Sequence, residues 1–104
     1  MKLTMGERFA VLSLLPEKEN FATLTIMREL GESLSPTEDE HKTYGIVVEG
    51  NQVHWSPKMA AIEKDINIGN KAHSIIREAL EKLDKEKKLE DKHYTVFEKF
   101  CKEN

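Results

Sequence analysis

The segment from Thr4 to Pro16 spells a helix with almost no polar side, and it constrains the fold more than any other stretch. Thr4-Met5-Gly6-Glu7 reads as a capping box: the threonine hydroxyl takes a free backbone N–H while the glutamate reaches back to the cap. Pro16 stops the helix after Leu15, because proline lacks an N–H and clashes with the preceding turn. On a helical wheel Leu3, Met5, Phe9, Ala10, Val11, Leu12, Leu14 and Leu15 occupy nearly the whole circumference. A surface helix shows an apolar stripe and a polar back. Here either the rest of the chain wraps the helix or part of it meets another molecule.

Only 104 residues are available for that wrapping, so one domain over 1–104 is expected. With 38% apolar and 34% charged residues, a modest core should sit inside a heavily charged surface. Cys101 is the only cysteine and has no internal partner, which suits a reducing compartment. The apolar run Phe9–Leu15, interrupted by Ser13, is far too short for a membrane span. Its flanks, Glu7-Arg8 and Pro16-Glu17-Lys18-Glu19, are not those of a signal peptide. The expected location is the cytoplasm, with no membrane partner.

Further along, Asn20 caps a second helix through Leu34, with Leu24, Met27, Leu30 and Leu34 on one face and Gly31 weakening it. Ser35-Pro36-Thr37-Glu38 reads as another capping box with proline first, opening a short acidic helix from Pro36 to about Lys42 on the outside. Tyr44 to Trp55 carries the β signal. A Gly50-Asn51 turn pairs Glu49 with Gln52, Val48 with Val53, Val47 with His54 and Ile46 with Trp55. That register puts Ile46, Val48, Val53 and Trp55 on one face, so both strands agree on the apolar side. Residues 58–68 stay open between helix and strand: Lys58–Glu63 suits a helical turn, and the short alternation of Asp65–Ile68 suits a third strand. From Gly69-Asn70 runs the longest helix, with Ala72, Ile75, Ile76, Ala79, Leu80 and Leu83 on one face. Glu78–Lys82, Glu81–Lys85 and Asp84–Lys88 have the favoured i,i+4 spacing for ion pairs. A last helix groups Val96, Phe97, Phe100 and Cys101. The expected fold is α+β, mostly helical, with four to five helices and one antiparallel hairpin, or a three-stranded sheet if residues 65–68 pair.

Chemistry-bearing patterns are sparse. His41, His54, His73 and His93 are not spaced as ligands, and neither CxxC nor HExxH occurs. Glu90 and His93 share the Glu-x-x-His spacing of di-iron bundles, but that motif must occur twice. Cys101 lies on an apolar stripe, where a thiol is a small core residue rather than a nucleophile. No nucleophile elbow and no phosphate-binding glycine loop is present. The reading is therefore a non-enzyme, with no catalytic, cofactor-binding or metal-ligating residue assigned.

The alternative is a winged-helix-like regulator, since three helices and then a hairpin stand in the right order. Its third helix would present Glu38, Asp39 and Glu40 to phosphates, which is electrostatically unfavourable. Residues 1–43 carry five basic and eight acidic side chains, and residues 57–104 eleven basic and ten acidic. With no basic block anywhere, nucleic acid is disfavoured as a partner. What remains is a protein partner or self-association, including a homodimer. The candidate surfaces are the open side of the first helix, at Phe9, Val11, Leu12 and Leu15, with Trp55 and Tyr94 joining them if exposed. Packing considerations place Trp55 and Tyr94 in the core.

One resemblance covers most of the chain. It rests on Met1-Lys2-Leu3-Thr4 with Glu7-Arg8 and Leu14-Leu15-Pro16. It extends over Ile68-Gly69, Lys71-Ala72, Ile75-Ile76, Ala79-Leu80 and Leu83-Asp84-Lys85, then Tyr94 and Phe97-Glu98-Lys99-Phe100. On these positions the chain resembles a group of small uncharacterised proteins of bacteriophage and prophage gene clusters. The resemblance implies a phage or prophage origin and a bacterial cytoplasm, where the expected interaction module would serve phage assembly or host takeover. Its positions are structural, and it carries over no active-site residue.

Overall fold

The computed structural model describes residues 1–102. Helix α1 spans Met5–Leu14 and begins with the expected capping box. Thr4 Oγ1 accepts from the Glu7 N–H at 3.2 Å, and Glu7 Oε1 accepts from the Thr4 N–H at 2.9 Å. Helix α2 is Phe21–Leu34, capped by the Asn20 side chain on the Thr23 N–H. Helix α3 is Glu38–Tyr44, then come strands β2 (Val47–Glu49) and β3 (Gln52–His54) after a short strand β1, Lys2–Thr4, that precedes α1. A 3₁₀ turn at Pro57–Met59, strand β4 (Glu63–Asp65), helix α4 (Asn70–Lys85), a second 3₁₀ turn at Asp91–His93 and helix α5 (Tyr94–Phe97) complete the chain up to a π-helical turn, Glu98–Lys102. The fold is α+β and mostly helical.

The hairpin forms in the expected register, Val47 opposite His54, Val48 opposite Val53 and Glu49 opposite Gln52. Gly50 takes the left-handed φ of 59° that the first position of such a turn demands. Its apolar face is only partly covered: Val53 and Trp55 are half-buried, while Val48 stays exposed near the tip.

A three-stranded sheet does not form. Glu63–Asp65, two residues earlier than the expected Asp65–Ile68, pairs antiparallel with Lys2–Thr4 and leaves the hairpin alone. Leu3, counted on the wheel of the first helix, thus belongs to a strand and is fully buried, while Thr4 both ends that strand and caps α1. In the 58–63 stretch the helical part is limited to the 3₁₀ turn at Pro57–Met59, and Glu63 already belongs to β4.

Helix α3 starts two residues later than the Ser35 box implied. Ser35-Pro36-Thr37-Glu38 and Thr37-Glu38-Asp39-Glu40 are overlapping copies of one cap pattern, and the second is used. Tertiary contact decides between them, because Glu40 is also the carboxylate that Arg8 reaches. On α4 the buried face is Ala72, Ile76 and Leu80, but the only i,i+4 ion pair among the described residues is Arg77–Glu81 at 3.5 Å. Lys88 lies beyond the helix end and pairs with Glu86 instead of Asp84.

The core gathers Leu3, Val11, Leu34, Ile76, Leu80 and Phe100 with their neighbours. Helix α1 runs through it, touching α2, α4, α5, β1 and the turn at Asp91–His93. Of its ten residues only Ser13 is exposed, so the chain does wrap its all-apolar helix. No helix among the described residues is long and apolar enough to cross a membrane.

Candidate functional site

Three buried or half-buried polar side chains are the first place to look for chemistry, and each is occupied in holding elements together. Arg8, 1% exposed, donates from Nε to the Leu34 carbonyl at 2.9 Å and from Nη2 to Ser35 O at 3.1 Å. Both carbonyls belong to the end of α2, which has no further helical N–H to offer them. The same guanidinium forks onto Glu40 at 2.6 and 3.1 Å, with Lys64 3.7 Å away. The Arg8 hydrogen bonds hold the Glu40 carboxyl at about 2, against its partial burial.

Lys99 Nζ donates to the Lys2 carbonyl, Glu7 Oε1 and Glu63 Oε2 at 2.7–2.8 Å, joining the C-terminal segment to β1, α1 and β4. Burial pushes the Glu7 carboxyl up, but bonds from Lys99 and the Thr4 N–H outweigh it and hold it below the usual range. His93 Nδ1 accepts the Glu90 N–H at 2.9 Å, so the Glu-x-x-His spacing serves as a cap on a 3₁₀ turn. Burial keeps the His93 imidazole below its ordinary value. No buried side-chain polar atom among the described residues lacks a partner.

The remaining histidines stand apart from it. His41 and His54 are exposed and His73 leans on the Phe100 ring, centroids 5.0 Å apart. No group of three or more His, Cys, Asp or Glu among the described residues could hold a metal ion. Cys101 is half-buried beside the Arg77 carbonyl, and burial raises its thiol pKa.

The residues expected to form a contact surface are dispersed. Val11 is a core residue with no accessible surface, so it cannot meet a partner. Leu12 and Leu15 are partly buried against α2 beside Gly31. Phe9 and Trp55 do come together, rings 5.5 Å apart, at a shallow cleft of about 360 Å³ between α1 and the hairpin. Tyr94, expected in the core, is 68% exposed. Among the six, it is the residue that reaches solvent most fully, and it lies elsewhere.

Tyr94 belongs to a groove of about 710 Å³ between the end of α4 and α5. Its apolar floor is Leu89, Tyr94 and Phe97. Leu89 follows the turn that leaves α4, and Tyr94 and Phe97 sit three residues apart on one face of α5. Asp84, Glu90, Asp91 and Glu98 form the rim, with Lys102 as the single cation lining it. The wider winding of the π turn lets Phe97 and Lys102, five residues apart, line the same groove.

No family model, curated protein or solved structure matches this chain.

The groove therefore has to be judged on its own chemistry. Among its lining residues no nucleophile stands against a base, and its floor combines the exposed Tyr94 ring with the half-buried Leu89 and Phe97 inside a charged edge. Helix α3, the counterpart of a DNA-reading helix, keeps Glu38 and Asp39 exposed and spends Glu40 on Arg8. Sequence reasoning missed Leu89, Phe97 and the rim acids. The available signal was Leu89 and Tyr94-x-x-Phe97 set among acidic residues, a pattern equally typical of a buried helix face.

Proposed function

We propose that this chain is a non-catalytic protein-interaction module that holds a segment of a partner in the groove between α4 and α5. The observation that carries the reading is the open apolar floor of Leu89, Tyr94 and Phe97, with Tyr94 two-thirds exposed. A tyrosine presented this way offers large contact area at low entropy cost, which is why such side chains dominate binding energy. The structural employment of Arg8, Lys99 and His93 supports the same reading, since their polar atoms are already committed to the fold. A phage or prophage setting, in a bacterial cytoplasm, is proposed on the resemblance described above and on nothing else.

The test is capture of partners from the source cells by the tagged full chain and by Tyr94→Ala. Wild type should retain a protein that the variant loses, while both melt at the same temperature. Capture that ignores Tyr94→Ala would refute the groove as the functional site. Self-association gives a different result: light scattering would show a dimer that Tyr94→Ala dissolves.

A further inference from the structure

The groove's rim says what kind of segment it takes. We infer that the occupant is a basic segment of a partner protein bearing one large apolar anchor, an inference that rests on the interaction reading above. The lining holds four carboxylates and one ammonium. Glu90 is partly engaged by Lys92 at 3.7 Å. Asp84, Asp91 and Glu98 have no ion-pair partner among the described residues. Three free carboxylates around an apolar floor attract lysine or arginine placed on either side of a leucine, methionine or aromatic residue. The volume of about 710 Å³ falls within the roughly 300–1,000 Å³ of clefts that enclose ligand groups.

Other occupants fit this chemistry poorly. Phosphates, whether of nucleic acid or of an anionic lipid surface, would meet the same three carboxylates. A second copy docking face to face would oppose rim to rim, because a two-fold interface uses one patch twice. Asp84, Asp91 and Glu98 would then confront their own equivalents, a like-charge contact that disfavours association.

The test uses the full chain and three peptides of about a dozen residues with one apolar sequence, differing only in whether their polar positions are Lys, Gln or Glu. Backbone amide shifts locate binding and give affinity. The lysine peptide should move amides of residues 84–102 and bind about tenfold more tightly than the glutamine peptide, with the glutamate peptide weakest. That preference should shrink severalfold between roughly 50 and 300 mM salt. Asp91→Asn with Glu98→Gln, both at exposed positions, should lower the lysine peptide's affinity and leave the glutamine peptide unchanged. Equal binding of all three peptides at the groove overturns the inference while the interaction reading stands. If none of them moves those amides at millimolar concentration, both fall. A salt-strengthened, Tyr94-dependent dimer overturns it in favour of self-association.

Discussion

Arg8 sits where no neutral side chain could do the same work: it caps the end of α2 with two hydrogen bonds and ties it to the start of α3 through Glu40. Removing it leaves two carbonyls and a carboxylate short of partners, which is far costlier than never having built the pair. Arg8→Met should lose about 3 kcal/mol in chemical denaturation, and Arg8→Lys nearly as much, since a point charge cannot span the fork. Acid sensitivity follows from the same residues. The folded Glu40 carboxyl titrates at about 2 against an ordinary 4.5, so its contribution is complete above 4.5 and disappears as the pH falls towards 2. Glu7, also held low, loses its contribution on the same side. The imidazole of His93 is held below 6.5, so the unfolded chain takes up that proton first, and stability declines as the pH falls below 6.5. Unfolding free energy measured from pH 7 to pH 2 should fall in two stages. His93→Gln should flatten the first and Glu40→Gln the second; parallel curves would refute both assignments.

At the scale of the element, two glycines inside helices carry opposite instructions. A Cβ on Gly31 of α2 would meet Leu15 Cδ1 at 3.8 Å and Leu12 Cδ2 at 4.0 Å, which is ordinary contact. Gly31→Ala should therefore gain about 1 kcal/mol from helix propensity and a little packing. A Cβ on Gly6 of α1 would press on Trp55 Cζ2 at 3.3 Å. Gly6→Ala should bring no such gain and should shift the emission of Trp55, the only tryptophan. The end of α4 supplies a third case. Lys87 adopts a left-handed φ of 59° so that the Lys88 N–H can reach the Leu83 carbonyl at 2.8 Å. This is the Schellman ending, normally given to glycine, and a side chain there carries strain. Lys87→Gly should raise the melting temperature by a few degrees, corresponding to about 0.5–1 kcal/mol.

For the whole molecule, the decisive contrast is between the two ends of α5 and the turn that follows it. Phe100 has no accessible surface, and Phe100→Ala should cost about 3–5 kcal/mol through lost burial and a residual cavity. Tyr94 lies six residues earlier and faces solvent, so Tyr94→Ala should change stability by less than about 0.5 kcal/mol while abolishing partner capture. Thermal denaturation of the two variants separates a residue that makes the fold from one that uses it. A large loss in Tyr94→Ala would mean that the groove floor is core after all.

Local signals carried most of the elements: the Thr4–Glu7 cap, the Asn20 cap, the Gly50-Asn51 turn with its register, and the apolar stripe of α4 were all legible before any coordinates. These depend on residues within a few positions of one another, where spacing alone sets geometry. What the tertiary structure decided depends on distant partners. Strand Lys2–Thr4 exists because Glu63–Asp65 comes alongside it, some sixty residues later, with no alternation to announce either. Arg8 chose between two identical cap patterns for α3. Nor could the apolar stripe of Val96, Phe97, Phe100 and Cys101 say how far each ring is covered, since the packing of α1 and α4 against that segment closes over Phe100 and leaves Phe97 half-open beside the exposed Tyr94. The groove is the remainder of that packing, a surface left open because the neighbouring elements bury their apolar faces elsewhere.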